Sequence, residues 1–251
     1  MPACSTMPNS RSDLRPGAPS RTRFRSGYAR KSKTRPRPMH EHAHIGRDLG
    51  ELAAVYEPHI HLAVARREQE PTVTAFVTEV LQRRCLPAVE LVVSPGEPLA
   101  ASLSCALGRM GHALTTLPGY QAWCEDLQLQ VDLFSSLFEL DAVGMRLATL
   151  DGPMCPRFHV DHVPCRLITT YGGRGTEWLP EEHVDRSRLG CTDLPLRALA
   201  RDESICSIEP WAIALFRGEG WLGGRVGGIV HRSPHIGPET PRLLLTLDFV
   251  H

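Results

Sequence analysis

The residues best suited to chemistry are two histidines and an aspartate in the second half of the chain. His159 and Asp161 stand two positions apart in "FHVDHV", and His231 follows an apolar run in "GGIVHRSP". In an extended strand alternate side chains share a face, so His159 and Asp161 point the same way while Phe158 and Val160 point the other way. An imidazole and a carboxylate provide two metal ligands, and a distant strand that ends at His231 provides a third. The pattern predicts a mononuclear metal site.

Arg242 extends this group of residues. Two imidazoles and one carboxylate leave about three open positions on an octahedral ion, the arrangement that suits non-haem Fe(II) oxygenases. A 2-oxo acid co-substrate can chelate such an ion, and its second carboxylate then needs a buried cation. Arg242 begins the run "RLLLTLDF", eleven residues after His231. Its guanidinium would act as a permanently charged, bidentate clamp.

The ordered set His-x-Asp, His and Arg resembles the double-stranded β-helix Fe(II)/2-oxoglutarate-dependent dioxygenases over about residues 143–251. The resemblance implies that His159, Asp161 and His231 bind Fe(II) and that Arg242 holds the 2-oxoglutarate carboxylate. It implies no further catalytic residue beyond the metal ligands.

One position departs from that pattern. The dioxygenases often have Ser or Thr two residues after the arginine, where this chain has Leu244, and Thr246 lies on the same strand face two positions further on. The residues that could share the task with Arg242 are Arg166, Thr169 and Tyr171, and the sequence leaves open which of them does so. The departure affects the identity of the co-substrate more than the metal site.

Three sequence segments are also similar to an uncharacterised bacterial domain family: "CPRFHVDHVPCRLITTYGGRGTEWL", "LFRGEGW" and "VHRSPHIGPETPRLLLTLD". Its members tend to lie in zinc-limitation gene neighbourhoods. This similarity implies an alternative function, that of a non-catalytic zinc-binding protein in zinc homeostasis. Zinc accepts histidine and aspartate ligands in a tetrahedral set, either in the same pocket or on a histidine-rich segment.

Two plainer interpretations stay open. The His-x-Asp pair could be a core histidine and a turn aspartate that are satisfied by hydrogen bonds alone. The domain could also be an interaction module that has lost its site. The neighbouring His162 is expected to be packed or exposed on the opposite strand face, and His235 to lie in a loop at the mouth of the pocket.

The histidine-rich segment comprises "MHEHAHIG" and "EPHIHLAV". In an extended chain His40, His42 and His44 point the same way, as do His59 and His61. Each set could therefore present imidazoles to one ion, although histidines beside a polar tail are commonly solvated.

The secondary-structure elements that must position these residues differ along the chain in the spacing of their apolar residues. Helices are predicted in "PTVTAFVTEVLQRRC", which begins at Pro71 or Thr72 with a stripe of apolar residues, in "EPLAASLSCALGRMG" up to Gly111, and in "YQAWCEDLQLQVDLFSSLFEL". From Val143 the period changes to two. Strands are predicted at 143–150, 157–171, 211–217, 227–232 and 242–250, separated by glycine and proline turns.

Helices followed by several short strands predict an α+β fold, a barrel or sandwich rather than a parallel sheet. With the resemblance, the expected architecture is a double-stranded β-helix (cupin-like barrel) with an N-terminal helical support. The expected divisions are a disordered basic tail at 1–40, a mainly helical region at 41–142 and the metal-binding domain at 143–251.

Two glycine-rich stretches invite a functional interpretation. "GEGWLG" has the Gly-x-Gly-x-x-Gly spacing at Gly218, Gly220 and Gly223, but no helical pattern follows it, so a flexible loop is expected instead of a dinucleotide site. In "YGGRGTEW" the glycines suit a tight turn and Trp178 is expected to cap the barrel. Thr176 and Glu177 are candidate pocket residues there.

Composition restricts the function classes. Residues 1–40 contain ten Lys or Arg and one acid in a chain of zero formal net charge, so the tail is near +9 and the body near −9. The acidic body argues against nucleic-acid binding, apart from weak contact through the tail. The eight cysteines form no Cys-x-x-Cys pair, which disfavours a zinc ribbon.

The remaining expectations concern location and partners. The chain has no apolar run long enough for a membrane span and no secretory signal pattern, so a reduced cytoplasmic setting is expected. The Arg/Ser-rich tail also has the composition of an organellar transit peptide, but its prolines disfavour an amphipathic helix. The substrate could be a small molecule or a protein, and the oligomeric state has no signature in the sequence.

Overall fold

A computed structural model describes residues 40–189, 204–221 and 227–250, with Met110 described by its backbone alone. All of the described residues belong to one compact unit. The predicted disordered tail lies outside the described residues, except for His40. None of the helices in the described parts of the chain is long and apolar enough to cross a bilayer.

Three α-helices and ten β-strands form the described fold. The helices are α1 (Pro71–Arg83), α2 (Leu99–Thr115) and α3 (Tyr120–Phe138), and a 3-10 helix spans Leu49–Tyr56. The strands are β1 (Ala43–Gly46), β2 (Leu62–Ala65), β3 (Val89–Val93), β4 (Val143–Leu150), β5 (Cys165–Gly172), β6 (Glu177–Leu179), β7 (Cys206–Ser207), β8 (Ile213–Arg217), β9 (Val230–Arg232) and β10 (Arg242–Phe249).

The first helix begins and ends as its sequence predicts. Pro71 occupies the first turn, and the Glu70 side chain accepts a hydrogen bond from the backbone N–H of Val73. Proline suits the first turn because its missing N–H would be unpaired there in any case. Arg84 ends the helix in the left-handed region, with φ of 50°.

The second helix differs from the prediction at its C-terminal end. Gly111 does not end it; α2 continues to Thr115, and its irregularity lies at Gly108, where φ is 54° and ψ is −130°. Leu114, which follows both glycines within α2, and Leu117, just after the helix, are buried in the core. Tertiary packing of these leucines outweighs the poor helix propensity of glycine.

Two sheets form the core of the fold. The large sheet has seven strands in the order β1-β2-β8-β5-β10-β4-β3, and the small sheet has three in the order β7-β6-β9. All pairings are antiparallel except that of β1 with β2. The predicted mixture of helices and antiparallel strands around a sheet-rich core is confirmed.

Alternation along β10 shows how the layers are arranged. Leu243, Leu245 and Leu247 pack in the same apolar cluster as the helices. Leu244 faces the other way and packs in a second cluster with Trp178 of the small sheet. The large sheet is therefore covered by helices on one face and by the small sheet on the other, which gives three packed layers.

Several strands were absent from the sequence prediction. β1, β2 and β3 all lie within the region predicted to be mainly helical, and β3 pairs directly with β4. The predicted border between residues 142 and 143 consequently falls inside the large sheet. The predicted strand at 157–171 is regular only from Cys165, and the segment before it is irregular.

Candidate metal centre

The candidate centre is built on one backbone bridge between distant parts of the chain. The N–H of His159 donates to the carbonyl of His231 at 3.0 Å, and the N–H of His231 donates to the carbonyl of His159 at 2.9 Å. Residues directly opposite in such an antiparallel bridge project their side chains from the same face. The two imidazole centroids are 4.5 Å apart.

Both imidazoles are fixed in the tautomer that suits a metal ligand. Nδ1 of His159 lies 2.9 Å from the carbonyl oxygen of Arg157, and Nδ1 of His231 lies 3.1 Å from that of Ile229. A carbonyl only accepts, so each Nδ1 must be the donor. Each Nε2 is then free to coordinate an ion, in the usual arrangement of metal-bound histidines.

Asp161 supplies the third donor group. Its Oδ1 lies 3.5 Å from Nε2 of His159 and its Oδ2 lies 3.5 Å from Nε2 of His231. The backbone of Asp161 is held from the loop after β8, where Glu219 donates its N–H to the Asp161 carbonyl at 2.8 Å. Gly218 packs so closely here that a Cβ would overlap the carbonyl oxygens of Val163 and Asp161. The irregular segment is thus fixed without being a strand.

Arg166 on β5 orients the carboxylate from behind. Its Nη1 donates to Asp161 Oδ2 at 2.9 Å and its Nε donates to Asp248 Oδ1 at 2.7 Å. Burial by itself would raise the pKa of Asp161. The hydrogen-bonding contact with His159 and the neighbouring His231 and Arg166 outweigh that effect and lower the pKa to about 2. Asp161 is therefore ionised at neutral pH.

The surroundings of the two histidines shift their pKa values in opposite directions. The contact with Asp161 raises the pKa of His159, against the effect of its partial burial. Full burial lowers the pKa of His231 to about 4, against the attraction of Asp161. His231 is therefore a neutral imidazole at physiological pH, the form that coordinates metal ions.

The donor atoms fit a single metal ion. One ligand atom from each of His159, Asp161 and His231 lies within 4.8 Å of the others. With metal–ligand bonds of about 2.1 Å, ligands at right angles around an ion stand about 3 Å apart, so the 3.5 Å separations of Asp161 from the two imidazoles are slightly wider than in a bound site. With Nδ1 of His231 as the donor to Ile229 and the ring neutral, Nε2 of His231 and the Asp161 carboxylate are both acceptors, and a cation between them would satisfy both.

A cavity of about 70 Å³ adjoins these residues on the inner face of the large sheet. Its lining includes His159, His231, Arg166, Arg242 and Thr246. Arg242 is 1% exposed, and burial lowers the pKa of its guanidinium to about 10. Among the described residues no carboxylate lies within ion-pairing distance of it, so the cavity contains a buried positive charge without a counter-charge.

Hydroxyl groups surround this guanidinium. Nη2 of Arg242 donates to Thr170 Oγ1 at 2.8 Å and to Thr176 Oγ1 at 2.6 Å. The buried Oγ1 of Thr246 lines the same cavity and has no hydrogen-bond partner among the residues that the structure describes. An unpaired cation and an unpaired hydroxyl in one cavity are the groups that a bound carboxylate would satisfy.

A family model described as "Protein of unknown function (DUF1826)" matches residues 46–248. The chain belongs to the DUF1826 family. This confirms the resemblance to a domain family without an assigned activity. No curated protein matches the DUF1826 chain in sequence.

Solved structures similar to this DUF1826 chain include three dioxygenases or hydroxylases. The rice dioxygenase for auxin oxidation is 14% identical with a TM-score of 0.47, and covers 82% of this chain and 83% of its own. The Arabidopsis thaliana enzyme AtDAO1 in its 2-oxoglutarate complex is 10% identical with a TM-score of 0.44, covering 80% and 87%. A Pseudomonas putida prolyl-4-hydroxylase is 12% identical with a TM-score of 0.40, covering 81% and 92%. Likeness at this level does not assign an activity, which depends on the site.

Two of the residues predicted to hold a co-substrate lie elsewhere in the DUF1826 chain. Tyr171 and Thr169 face the helices, where the Tyr171 hydroxyl donates to Asp126 Oδ2 at 2.5 Å and Thr169 Oγ1 donates to Gln130 Oε1 at 2.6 Å. Neither lines the cavity. Arg166 does line the cavity, but its guanidinium already forms ion pairs with two aspartates, through Nη1 and through Nε. The structure therefore leaves Arg242, with Thr170, Thr176 and Thr246, as the groups available to a carboxylate.

Some of the other candidate pocket residues line the cavity and others do not. Thr176 lines the cavity, whereas Glu177 forms a buried ion pair with Arg232 at 2.7 Å. Trp178 is buried in the cluster between the two sheets, as expected for a cap. The His162 side chain is 91% exposed and pairs with Glu219. His235 is exposed and outside the cavity lining.

The glycine-rich loop has a positioning role that its sequence does not indicate. Gly218 and Gly220 both pack against backbone atoms of residues 161–164, and no helix follows Trp221 among the described residues. Gly223 of the dinucleotide-like pattern lies outside the described residues. Sequence reasoning also missed Asp248 and Thr170, although their even positions place them on the same strand face as Arg242 and Arg166.

Proposed function

We propose that this DUF1826 protein is a mononuclear non-haem iron oxygenase that uses Fe(II) and 2-oxoglutarate. The observation that supports this most strongly is the combination of a His159/Asp161/His231 donor set with a buried, uncompensated Arg242 in one cavity. When bound, iron and the 2-oxo acid would supply the activation of O₂ for oxidation of a substrate C–H bond. The two packed sheets would act as the double-stranded β-helix of this enzyme class.

The chain's own residues would place and tune the ion. His159 and His231 would coordinate the ion through Nε2, because each Nδ1 donates a hydrogen bond to a backbone carbonyl. Asp161 would supply the anionic ligand, held in position by Arg166. Three protein ligands on one side would leave the opposite positions open to co-substrate and O₂.

Arg242 would bind the far carboxylate of 2-oxoglutarate. A buried guanidinium without a counter-charge is costly, and a carboxylate would offset that cost with charge-assisted hydrogen bonds. Thr170 and Thr176 would keep the fork oriented. In the dioxygenases a Ser or Thr two residues after the arginine often contacts the same carboxylate. Here Leu244 occupies that position and would form an apolar wall, and Thr246, two residues further on, would supply the hydroxyl instead.

A second candidate function is non-catalytic zinc binding in zinc homeostasis. The observation in its favour is the donor set itself, because Zn(II) also accepts two imidazoles and a carboxylate. A zinc protein would have no use for the uncompensated Arg242, which favours the oxygenase. Metal content after expression without added metal separates the two.

The test is anaerobic addition of Fe(II) and 2-oxoglutarate to the metal-free full chain. We expect a weak visible charge-transfer band and, once O₂ is admitted, slow release of succinate. Arg242→Met should lose both at moderate 2-oxoglutarate while it retains the ion, and His162→Ala should behave as the unaltered protein. Absence of the band and of succinate in the unaltered protein would contradict the proposal.

A further inference from the structure

The cavity beside the candidate metal centre is too small for two molecules. Its volume is about 70 Å³, whereas pockets that enclose a small-molecule ligand usually start at about 300 Å³. The proposed function needs room for 2-oxoglutarate, which Arg242 would hold inside the cavity, and for a second molecule that is oxidised. The second molecule must therefore lie at the mouth of the cavity.

A depression of about 290 Å³ adjoins the cavity on the same face of the large sheet. Arg146 lines both the cavity and the depression. It lies directly opposite Thr246 of β10, which also lines the cavity, so the two side chains share one face of the sheet. On its other side Arg146 lies opposite Glu90 of β3. The depression thus begins one strand away from the co-substrate residues and extends to the edge strand β3.

The floor of the depression is left open by Gly144. This residue lies opposite Val92 of β3 and Asp248 of β10. A Cβ at Gly144 would be in ordinary contact with the Asp248 carbonyl oxygen, at 3.6 Å, and with none of the other described atoms within 4 Å. Val92 is 66% exposed and forms an apolar wall at the outer edge. The described residues therefore leave room here for a small molecule.

The charged side chains of the depression form an ion pair that a ligand can replace. Nε of Arg146 donates to Oε1 of Glu90 at 2.8 Å, and the two side chains are 40% and 70% exposed. Exposed ion pairs contribute little net stability, so separation of this pair costs little. The other acid, Asp248, is already paired with Arg166. Arg146 and Glu90 thus offer one charge of each sign, on neighbouring strands about 5 Å apart.

One available charge of each sign favours a zwitterionic ligand. A purely anionic ligand would pair with Arg146 but would be repelled by Glu90, and a purely cationic ligand would be repelled by Arg146. A molecule that carries both a carboxylate and an ammonium group would satisfy both side chains with charge-assisted hydrogen bonds. An α-amino acid carries both groups on one carbon, and its size suits a depression of about 290 Å³.

We infer that the depression on β3 and β4 binds the primary substrate as a free amino acid, with its carboxylate on Arg146 and its ammonium group on Glu90. The part that this ligand plays in a reaction rests on the proposed oxygenase function, whereas its binding does not. Ala148 and Met154 line the cavity together with Arg146. A ligand side chain directed from Arg146 into the cavity would pass these apolar groups, so an amino acid with an apolar side chain is expected.

Ligand-observed NMR on the metal-free full chain tests the site without any turnover. The probes are L-leucine, L-methionine and L-phenylalanine, each compared with its N-acetyl derivative and its methyl ester. We expect at least one free amino acid to bind, and both of its derivatives to bind about tenfold more weakly because each lacks one charge. Arg146→Gln and Glu90→Gln should each weaken binding of the free amino acid by about tenfold. Gly144→Val should prevent it, because the added side chain fills the depression.

A matched control comes from a second exposed ion pair. Arg66 and Glu209 lie 3.1 Å apart, are 46% and 60% exposed, and line neither the cavity nor the depression, so Arg66→Gln should leave binding unchanged. Three results would overturn the amino-acid site: no binding of any probe, equal binding of an amino acid and its ester, or unchanged binding in Arg146→Gln or Glu90→Gln.

The same probes, added with Fe(II), 2-oxoglutarate and O₂, separate this inference from the proposed function. The amino acid that binds should increase succinate release by the unaltered protein, and this increase should be lost in Arg146→Gln. Binding of the amino acid without any succinate release would overturn the oxygenase and leave the amino-acid site in place. Succinate release without amino-acid binding would overturn the site and leave the oxygenase in place.

Discussion

His159 and His231 exchange both of their backbone hydrogen bonds, at 3.0 Å and 2.9 Å, and form a bridge outside any regular strand pair. This bridge aligns their side chains on one face, so the distance between the imidazoles is set by backbone pairing rather than by flexible loops. Asp161, two residues along, then completes the group. The geometry of the candidate centre is thus a consequence of the fold.

Removal of either histidine should abolish metal binding at this centre. His159→Ala and His231→Ala each leave two protein ligands, and we expect neither variant to retain Fe(II) after dialysis. The His159 side chain is 34% exposed, so its replacement should change the free energy of unfolding by no more than about 1 kcal/mol. Metal analysis with thermal unfolding checks both points. Full retention of Fe(II) by folded His159→Ala would argue against its role as a ligand.

Arg166 should affect the metal without touching it. Arg166→Gln removes the donor that holds Asp161, and loss of such an orienting partner weakens metal affinity by about 10- to 100-fold. Competition with a chelator of known affinity measures this change. Arg146 lines the same cavity but pairs with Glu90 in an exposed position, so Arg146→Gln should leave the affinity unaltered. Equal effects from the two variants would indicate a general charge effect.

Two threonines form a matched pair for the co-substrate site. Thr246 and Thr149, on the paired strands β10 and β4, both have buried hydroxyls that find no partner in the described parts of the chain, but only Thr246 lines the cavity. Replacement by valine should stabilise each protein by up to about 1 kcal/mol, because it removes an unsatisfied polar group. Only Thr246→Val should weaken binding of 2-oxoglutarate to the Fe(II) form, as titration of the visible band would show. Unchanged binding in Thr246→Val would exclude that hydroxyl from the site.

The packing of Gly218 should be essential to the position of Asp161. A methyl group there would displace the carbonyls of Asp161 and Val163, so Gly218→Ala should destabilise the fold by about 1–3 kcal/mol and reduce metal affinity. A Cβ at Gly237 would meet none of the described atoms within 4 Å, and Gly237→Ala should have neither effect. Chemical denaturation and metal titration of both variants provide the comparison. Normal metal affinity in Gly218→Ala would show that the loop does not position Asp161.

The sequence predicted the elements whose local signals agree with their packing. α1 has an apolar stripe and a proline in its first turn, and β4 and β10 are long with strict alternation. β2 was missed because all four of its residues are buried and show no alternation. β6 and β7 have only three and two residues, too few for any period to be visible.

The three metal-binding candidates were predicted as a set, although the predicted reason was partly wrong. His159 and Asp161 do not share a regular strand; a single bridge and the Gly218 loop hold them. The sequence could have separated Tyr171 from Arg166, because its odd position places its side chain on the opposite face of β5. The contact of Arg166 with Asp248 depends on the pairing of β5 with β10, which no local pattern specifies.

The most direct test of the centre is a crystal of the full chain soaked with Mn(II), which shares the preference of Fe(II) for nitrogen and oxygen ligands. We expect an anomalous difference peak at bonding distance from Nε2 of His159, Nε2 of His231 and the carboxylate of Asp161. An empty position among these three groups at saturating Mn(II), with the side chains ordered, would contradict it.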